Sequence, residues 1–182
     1  MTEEIKDKGC FFTFYTLTPL HAGAGASAGA IDLPVERERH TQYPCVYASG
    51  MKGALREYFR RRKLKTDDIF GMEGSEIAAG NVVFTDAKML LFPTRSSAGV
   101  FKWVTCPFVI KRFYRDAAFI DRSFGKGNTA VAVTGYSGLA CESYPGTLIL
   151  EDFPIKVDFV DERVEPYKTI LGDITVAMRE CI

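Results

Sequence analysis

The chain has 182 residues, 47% hydrophobic and 25% charged, and its 23 basic and 23 acidic side chains give a formal net charge of zero. That composition excludes a disordered or fibrous protein and a freely basic coat for nucleic acid; contact with a polyanion must come from charge segregated onto one face. The length suits a single domain, residues 1–182, able to bury a real core.

Five cysteines (Cys10, Cys45, Cys106, Cys141, Cys181) are scattered, odd in number and without a CxxC pair. They support neither a zinc site nor a disulfide framework, and read as reduced core thiols in a cytosolic protein. The N-terminal MTEEIKDKG is charged and leads into only a short apolar run, which is no secretory signal. No stretch approaches the roughly 18 apolar residues of a membrane span. The expectation is a cytoplasmic protein with no membrane partner.

In chain order, residues 10–20 (CFFTFYTLTPL) are aromatic and β-branched, stop at Pro19, and predict a strand. A glycine-alanine loop follows through Gly23, Gly25 and Gly29. No GKS/T follows it, so it is no P-loop, and Ala28 stands where the third glycine of GxGxxG belongs. A flexible linker and a loop whose backbone approaches a phosphate both remain open. Asp32 lies at the loop exit, as a turn cap or solvated side chain on the bland reading. On the sharper one it is a general base or a holder of a divalent cation. His21, at the strand end facing the same loop, is the second catalytic candidate, although a lone histidine is more often structural.

Residues 36–40 (ERERH) read as a solvated, self-paired run, or as Arg37 and Arg39 lying on one side of an extended chain and gripping phosphates. Ser49 is placed to cap a helix in which Met51, Ala54, Leu55, Tyr58 and Phe59 make one apolar stripe. Lys52, Arg56 and Arg60 recur every fourth residue on another face. That face serves solubility, or, since Ser49-Gly50-x-Lys52-Gly53 brings helix N–H groups and a lysine together, an anion.

Residues 81–93 (NVVFTDAKMLLFP) predict a second strand, bulged near Asp86, and residues 100–104 (VFKWV) a third. Phe101 and Trp103 on that strand suit core packing better than base stacking. Thr105 is expected to cap a helix with Pro107 in its first turn. Residues 121–146 read as a loop or mobile hairpin insertion, and 147–160 as a final strand or an inserted hairpin. Strand, helix, strand, strand, helix is the opening of a ferredoxin-like split βαβ unit, so the expected class is α+β, with loop and hairpin insertions.

Four blocks carry a family resemblance: YTLTPLHAGAG at 15–25, AIDLPVERERHTQYP at 30–44, S-x-x-KGALR at 49–56, and the run from NVVFTDAK to KRFYRD at 81–116. In these the chain resembles the backbone subunits of the type III-B CRISPR effector, the Cmr complex, within the RAMP superfamily. The resemblance implies a ferredoxin-like (RRM-like) core and copies stacked in a helical filament on CRISPR guide RNA beside other effector subunits. It also implies cleavage of complementary single-stranded target RNA by a metal-dependent endoribonuclease using Mg²⁺ or Mn²⁺.

By the same resemblance Asp32 is the essential acid and the metal-holding residue, and His21 is the strand-end histidine. Lys52 contacts guide phosphate. From the residues themselves, Ser49, Gly50, Gly53, Arg56, Arg37 and Arg39 are expected to complete an RNA-binding set around it. The chain is much shorter than a usual family member, so the core is expected to be incomplete at the C-terminus. Ala48-Ser49-Gly50 also departs from the family's commoner residues before the lysine. A structural, non-cutting guide-binding subunit, or a truncated remnant, is the rival expectation.

Overall fold

The computed structural model describes residues 9–25, 34–72, 78–120, 137–139 and 146–158, with backbone alone for 137–139. These fall into two compact units, one built from residues up to Leu17 and from Leu90 onward, the other from Thr18–Met89. The class is mixed α+β, with small sheets and few helices, as the order of predicted elements implied. Among the described residues the strands form four small sheets.

In the Thr18–Met89 unit, β1 (Cys45–Val46) pairs antiparallel with β4 (Ala87–Lys88). Helix α1 (Ala48–Arg61) follows β1 directly, and the short α2 (Asp67–Phe70) leads into β2 (Gly71–Met72), paired with β3 (Ala78–Ala79). The core is aromatic: Phe59 of α1 meets Phe70 edge-on with centroids 5.4 Å apart, and Phe70 stacks on Phe84 at 5.8 Å. Phe70 is 3% exposed. Cys45 is buried as a core thiol, whereas Cys10 is exposed, which corrects the expectation of uniformly internal cysteines.

Gly71 and Gly80 pack backbone against backbone. A Cβ on Gly80 would collide with the Ile69 carbonyl oxygen and lie 2.6 Å from the Gly71 nitrogen, so only glycine fits there.

In the other unit, β5 (Phe92–Arg95) and β6 (Phe101–Val104) form an antiparallel hairpin in which Pro93 faces Trp103 and Arg95 faces Phe101. Helix α3 (Pro107–Ile120) buries Val109, Arg112, Tyr114 and Ala117, the 3.6-residue stripe its sequence carries. β8 (Thr147–Leu150) and β9 (Phe153–Asp158) are a hairpin, and β7 (Ser137–Leu139) lies parallel to β9. The segment read as either a final strand or an inserted hairpin is therefore the hairpin, and β7 lies within residues 121–146. The rest of that stretch is outside the described residues.

Three expectations are corrected. Residues 10–20 take no place in a strand ladder; instead Phe11 meets Phe113 of α3 at 5.2 Å and Tyr15 meets Trp103 at 6.0 Å. β-Propensity describes fit to a pleated surface, and among the described residues no neighbouring strand supplies one. Residues 81–93 are not one strand: β4 and the start of β5 belong to different sheets. Thr105 does not cap α3. Its hydroxyl is buried without a hydrogen-bond partner, and the Ile110 N–H bonds to the Cys106 carbonyl. No helix among the described residues is long and apolar enough to cross a membrane.

Candidate nucleic-acid interface

The glycine-alanine loop is pinned at its base. Gly23 and Val35 form an antiparallel bridge, the Ala24 N–H donates to the Pro34 carbonyl (2.8 Å), and the Glu36 N–H donates to the Ala22 carbonyl (2.7 Å). The catalytic candidate Asp32 lies on the loop so closed, outside the described residues. His21 is exposed at the loop base. Its Nε2 lies 3.7 Å from where a Cβ on Gly23 would sit, so the imidazole lies along the first residues of the loop.

Glu36 ties this loop to α1. Besides its bond to Ala22, its carbonyl accepts from the Cys45 N–H (3.1 Å), and its carboxylate accepts from the Tyr47 N–H (3.3 Å) at the cap position of α1. Asp86 completes that end, its Oδ1 accepting from the Ala48 N–H at 2.8 Å. Helix α1 therefore starts one residue before the expected Ser49 cap. Two carboxylates from elsewhere in the unit replace a capping side chain, each placed where the helix dipole favours negative charge. Glu36 reads in sequence as one member of a charge run, and Asp86 as a bulge residue; only their long-range partners show their role.

The expected cations divide by partner. Arg56 donates to the Phe70 carbonyl (2.9 Å) and the Gly71 carbonyl (2.6 Å), clipping the end of α2 to α1. Arg60 and Arg61 bind Glu57 at 2.7 and 2.8 Å, and these two guanidiniums, Arg60 first, hold the Glu57 carboxyl down at about 2. Arg62 lies 4.8 Å over the Tyr58 ring. Lys52 is half-buried, and its ammonium makes no hydrogen bond or ion pair among the described residues. Ser49, Gly50 and Gly53 beside it are exposed, and a Cβ at either glycine would meet nothing within 4 Å. The first two turns of α1 thus present a bare backbone surface with one uncommitted cation at its edge.

Arg37 and Arg39 do not share an extended face. The Glu38 N–H bonds to the Tyr43 carbonyl, and Arg37 pairs with Pro44, so Arg39 sits in a turn. The turn is stabilised locally: the Thr41 hydroxyl donates to Glu38, Gln42 adopts a left-handed φ of 61°, and the Arg37 guanidinium donates to the Gln42 carbonyl at 2.8 Å. Arg39 stays exposed at the tip. Among the described residues, no three His, Cys, Asp or Glu side chains gather to hold a metal ion.

Residues 13–170 match the RAMP superfamily. The curated CRISPR system Cmr endoribonuclease Cmr4 of Pyrococcus furiosus is 36% identical over 159 residues, which are 82% of this chain and 53% of that protein. The crystal structure of oligomeric Cmr4 from the same organism superposes with a TM-score of 0.71 at 33% identity, covering 86% of this chain and 58% of that one. A cryo-EM structure of the type III-B Cmr-beta bound to cognate target RNA contains a chain with a TM-score of 0.64. At 23% identity, over 80% of this chain and 57% of that one, it shows a shared fold alone. The chain spans little more than half the length of these relatives. By these matches the chain belongs to the RAMP superfamily, as a homologue of Cmr4, the Cas7-like subunit of the type III-B Cmr effector.

Proposed function

We propose that this chain is a backbone subunit of a type III-B Cmr effector, holding CRISPR guide RNA on α1 and cutting complementary target RNA at the loop that carries Asp32. The observation that carries this is the Glu36 tie. Its backbone closes the base of the loop, and its carboxylate holds the start of the helix that presents Lys52. Glu36 thereby ties the base of the small-residue loop to the start of the helix that carries Lys52. A bare helical face lets a sugar–phosphate backbone come close, and Lys52 with the α1 dipole supplies the charge.

RNA brings its own nucleophile. The 2′-hydroxyl attacks the adjacent phosphorus, the bond to the 5′-oxygen breaks, and the products are a 2′,3′-cyclic phosphate and a 5′-hydroxyl. Asp32 serves this step as the base that takes the 2′-hydroxyl proton or as the carboxylate that holds a divalent ion, while His21 orients the loop. One carboxylate with substrate phosphate oxygens and water is a donor set that Mg²⁺ accepts. Bound at Asp32, Mg²⁺ or Mn²⁺ would offset the charge gathering on the phosphate. The other partners this reading requires are further copies along the guide and the remaining effector subunits, in the cytoplasm.

In a reconstituted effector with guide RNA, Asp32→Ala or Asp32→Asn should abolish target cleavage and leave target binding nearly intact, because the work lies in the transition state. A target with 2′-deoxyribose at the scissile position should survive, and His21→Ala should lose activity only in part. Cleavage at the normal rate by the Asp32 variants would favour the structural guide-binding subunit instead.

A further inference from the structure

Five of the six residues at 60–65 are cations (Arg60, Arg61, Arg62, Lys63 and Lys65), the densest run of positive charge in a chain whose net charge is zero. Cations in the last turn of a helix complement its dipole, but that accounts for none of three further features here. Glu57 divides its carboxylate between two guanidiniums, one oxygen accepting from Arg60 Nε at 2.7 Å and the other from Arg61 Nε at 2.8 Å. The two arginines are held side by side in this way with their side chains 75% and 78% exposed. Arg62 lies 4.8 Å over the Tyr58 ring, and Tyr58, three residues before Arg61 and so beside it on the helix surface, is 50% exposed. Lys63 takes a left-handed φ of 57°, just past the helix end where glycine is at ease and a side chain is strained. The backbone closes the helix there: the Lys63 N–H donates to the Arg60 carbonyl and the Leu64 N–H to the Phe59 carbonyl, both at 3.0 Å. Those carbonyls are thereby occupied, and the surface offered at this end is made of side chains.

We propose that the C-terminal end of α1 is a second binding site for single-stranded RNA, in which Arg60, Arg61 and Lys63 hold phosphates and the Arg62–Tyr58 pair stacks a base. A guanidinium fixed through its Nε keeps its outer amino groups for a phosphate oxygen, and loses little freedom on binding because Glu57 has already ordered it. A guanidinium plane laid on an aromatic ring is a surface on which an unpaired base stacks. Lys52 lies eight residues before Arg60, about 12 Å along the helix, too far for one phosphate to touch both. The two ends of α1 therefore take different nucleotides. Asp67 and Asp68 open α2 and bound the patch on its far side, where they repel a polyanion. An acidic polypeptide matches the charge but brings no ring to the Arg62–Tyr58 plate, whereas every nucleotide carries one. The inference goes beyond the guide-binding reading and shares with it only that the ligand is single-stranded RNA.

The test is titration of the full chain and its variants with oligouridylate at several salt concentrations, read by fluorescence anisotropy beside a melting curve. Arg60→Gln with Arg61→Gln should shallow the log–log salt slope by about 1.4, at about 0.7 for each phosphate lost. Its melting temperature should stay within about 2 °C of the parent, because exposed ion pairs contribute little. Lys63→Gly relieves the left-handed strain and should melt about 2–4 °C higher, yet shallow the slope by about 0.7. A loss of RNA contact in a protein made more stable is no folding defect. Tyr58→Leu should lower affinity about tenfold at every salt concentration and leave the slope alone. An unchanged slope in the arginine pair or in Lys63→Gly, or an unchanged affinity in Tyr58→Leu, overturns the proposal. Binding of polyglutamate that is lost in these variants while oligouridylate is held as before assigns the patch to an acidic protein partner, and overturns it as well. A slope shallowed by Lys52→Ala and by none of these variants leaves the guide-binding reading standing and this one refuted; the reverse pattern refutes the Lys52 reading alone.

Discussion

Arg56 offers the sharpest separation of structure from function on α1. Sequence spacing groups it with Lys52 as a phosphate ligand, but its guanidinium donates to two carbonyls at 2.9 and 2.6 Å where α2 ends. A hydrogen bond from a charged donor contributes about 1.5–3 kcal/mol. Arg56 is half-buried, so the lower end applies to each bond, and Arg56→Ala should cost about 2–3 kcal/mol. For a chain of this size each kcal/mol moves the melting temperature by about 2–4 °C, which predicts a fall of roughly 5–10 °C. Arg56→Lys reaches one carbonyl and should recover about half of that. Lys52→Ala breaks no contact among the described residues, so its melting temperature should stay within about 1 °C. The same two variants are then titrated with single-stranded guide RNA at several salt concentrations. Losing one phosphate contact shallows the log–log salt slope by about 0.7, and that change should belong to Lys52→Ala and not to Arg56→Ala. An Arg56→Ala protein that melts normally and shows the shallower slope would refute this division of roles.

Three further outcomes are expected. Gly53→Ala should stabilise the chain by about 1 kcal/mol, since α1 gains helix propensity and the new methyl meets open space; it should nonetheless weaken guide binding if RNA lies against the bare face. Melting temperature and fluorescence anisotropy read the two effects in one sample. Glu57, held at about 2 by Arg60 and then Arg61 against an ordinary 4.5, is depressed on folding. Its contribution is therefore fully present above about pH 4.5 and lost as pH falls toward 2. NMR titration of its side-chain carboxyl should give a midpoint well below 4, and Glu57→Gln should remove the Glu57 contribution to the acid limb of the stability profile. Asp86→Asn keeps the oxygen that accepts from the Ala48 N–H and should cost a few tenths of a kcal/mol, against about 1 kcal/mol for Asp86→Ala. Hydrogen exchange of the Ala48 amide distinguishes the two.

By itself, the sequence determined what depends on near neighbours. The periodicity of residues 107–120 and 48–61 is visible in the string of letters, because a helix closes its hydrogen bonds four residues apart, and both helices form. Strand β6 (Phe101–Val104) lies within the residues 100–104 that predict it, where alternating apolar side chains mark a short strand. The family was legible too, through four blocks of motif in order. What needed the tertiary structure were partners far apart in the chain. Asp86 caps a helix 38 residues before it, Glu36 joins three segments, and Arg56 spends its charge on carbonyls 14 and 15 residues away. Spacing along α1 gives Lys52, Arg56 and Arg60 one equivalent face, and only their neighbours make them different. Residues 10–20 show the converse limit. Their β-forming composition is plain, but a strand exists only when another strand lies beside it, and that is a property of the assembled sheet and not of the segment.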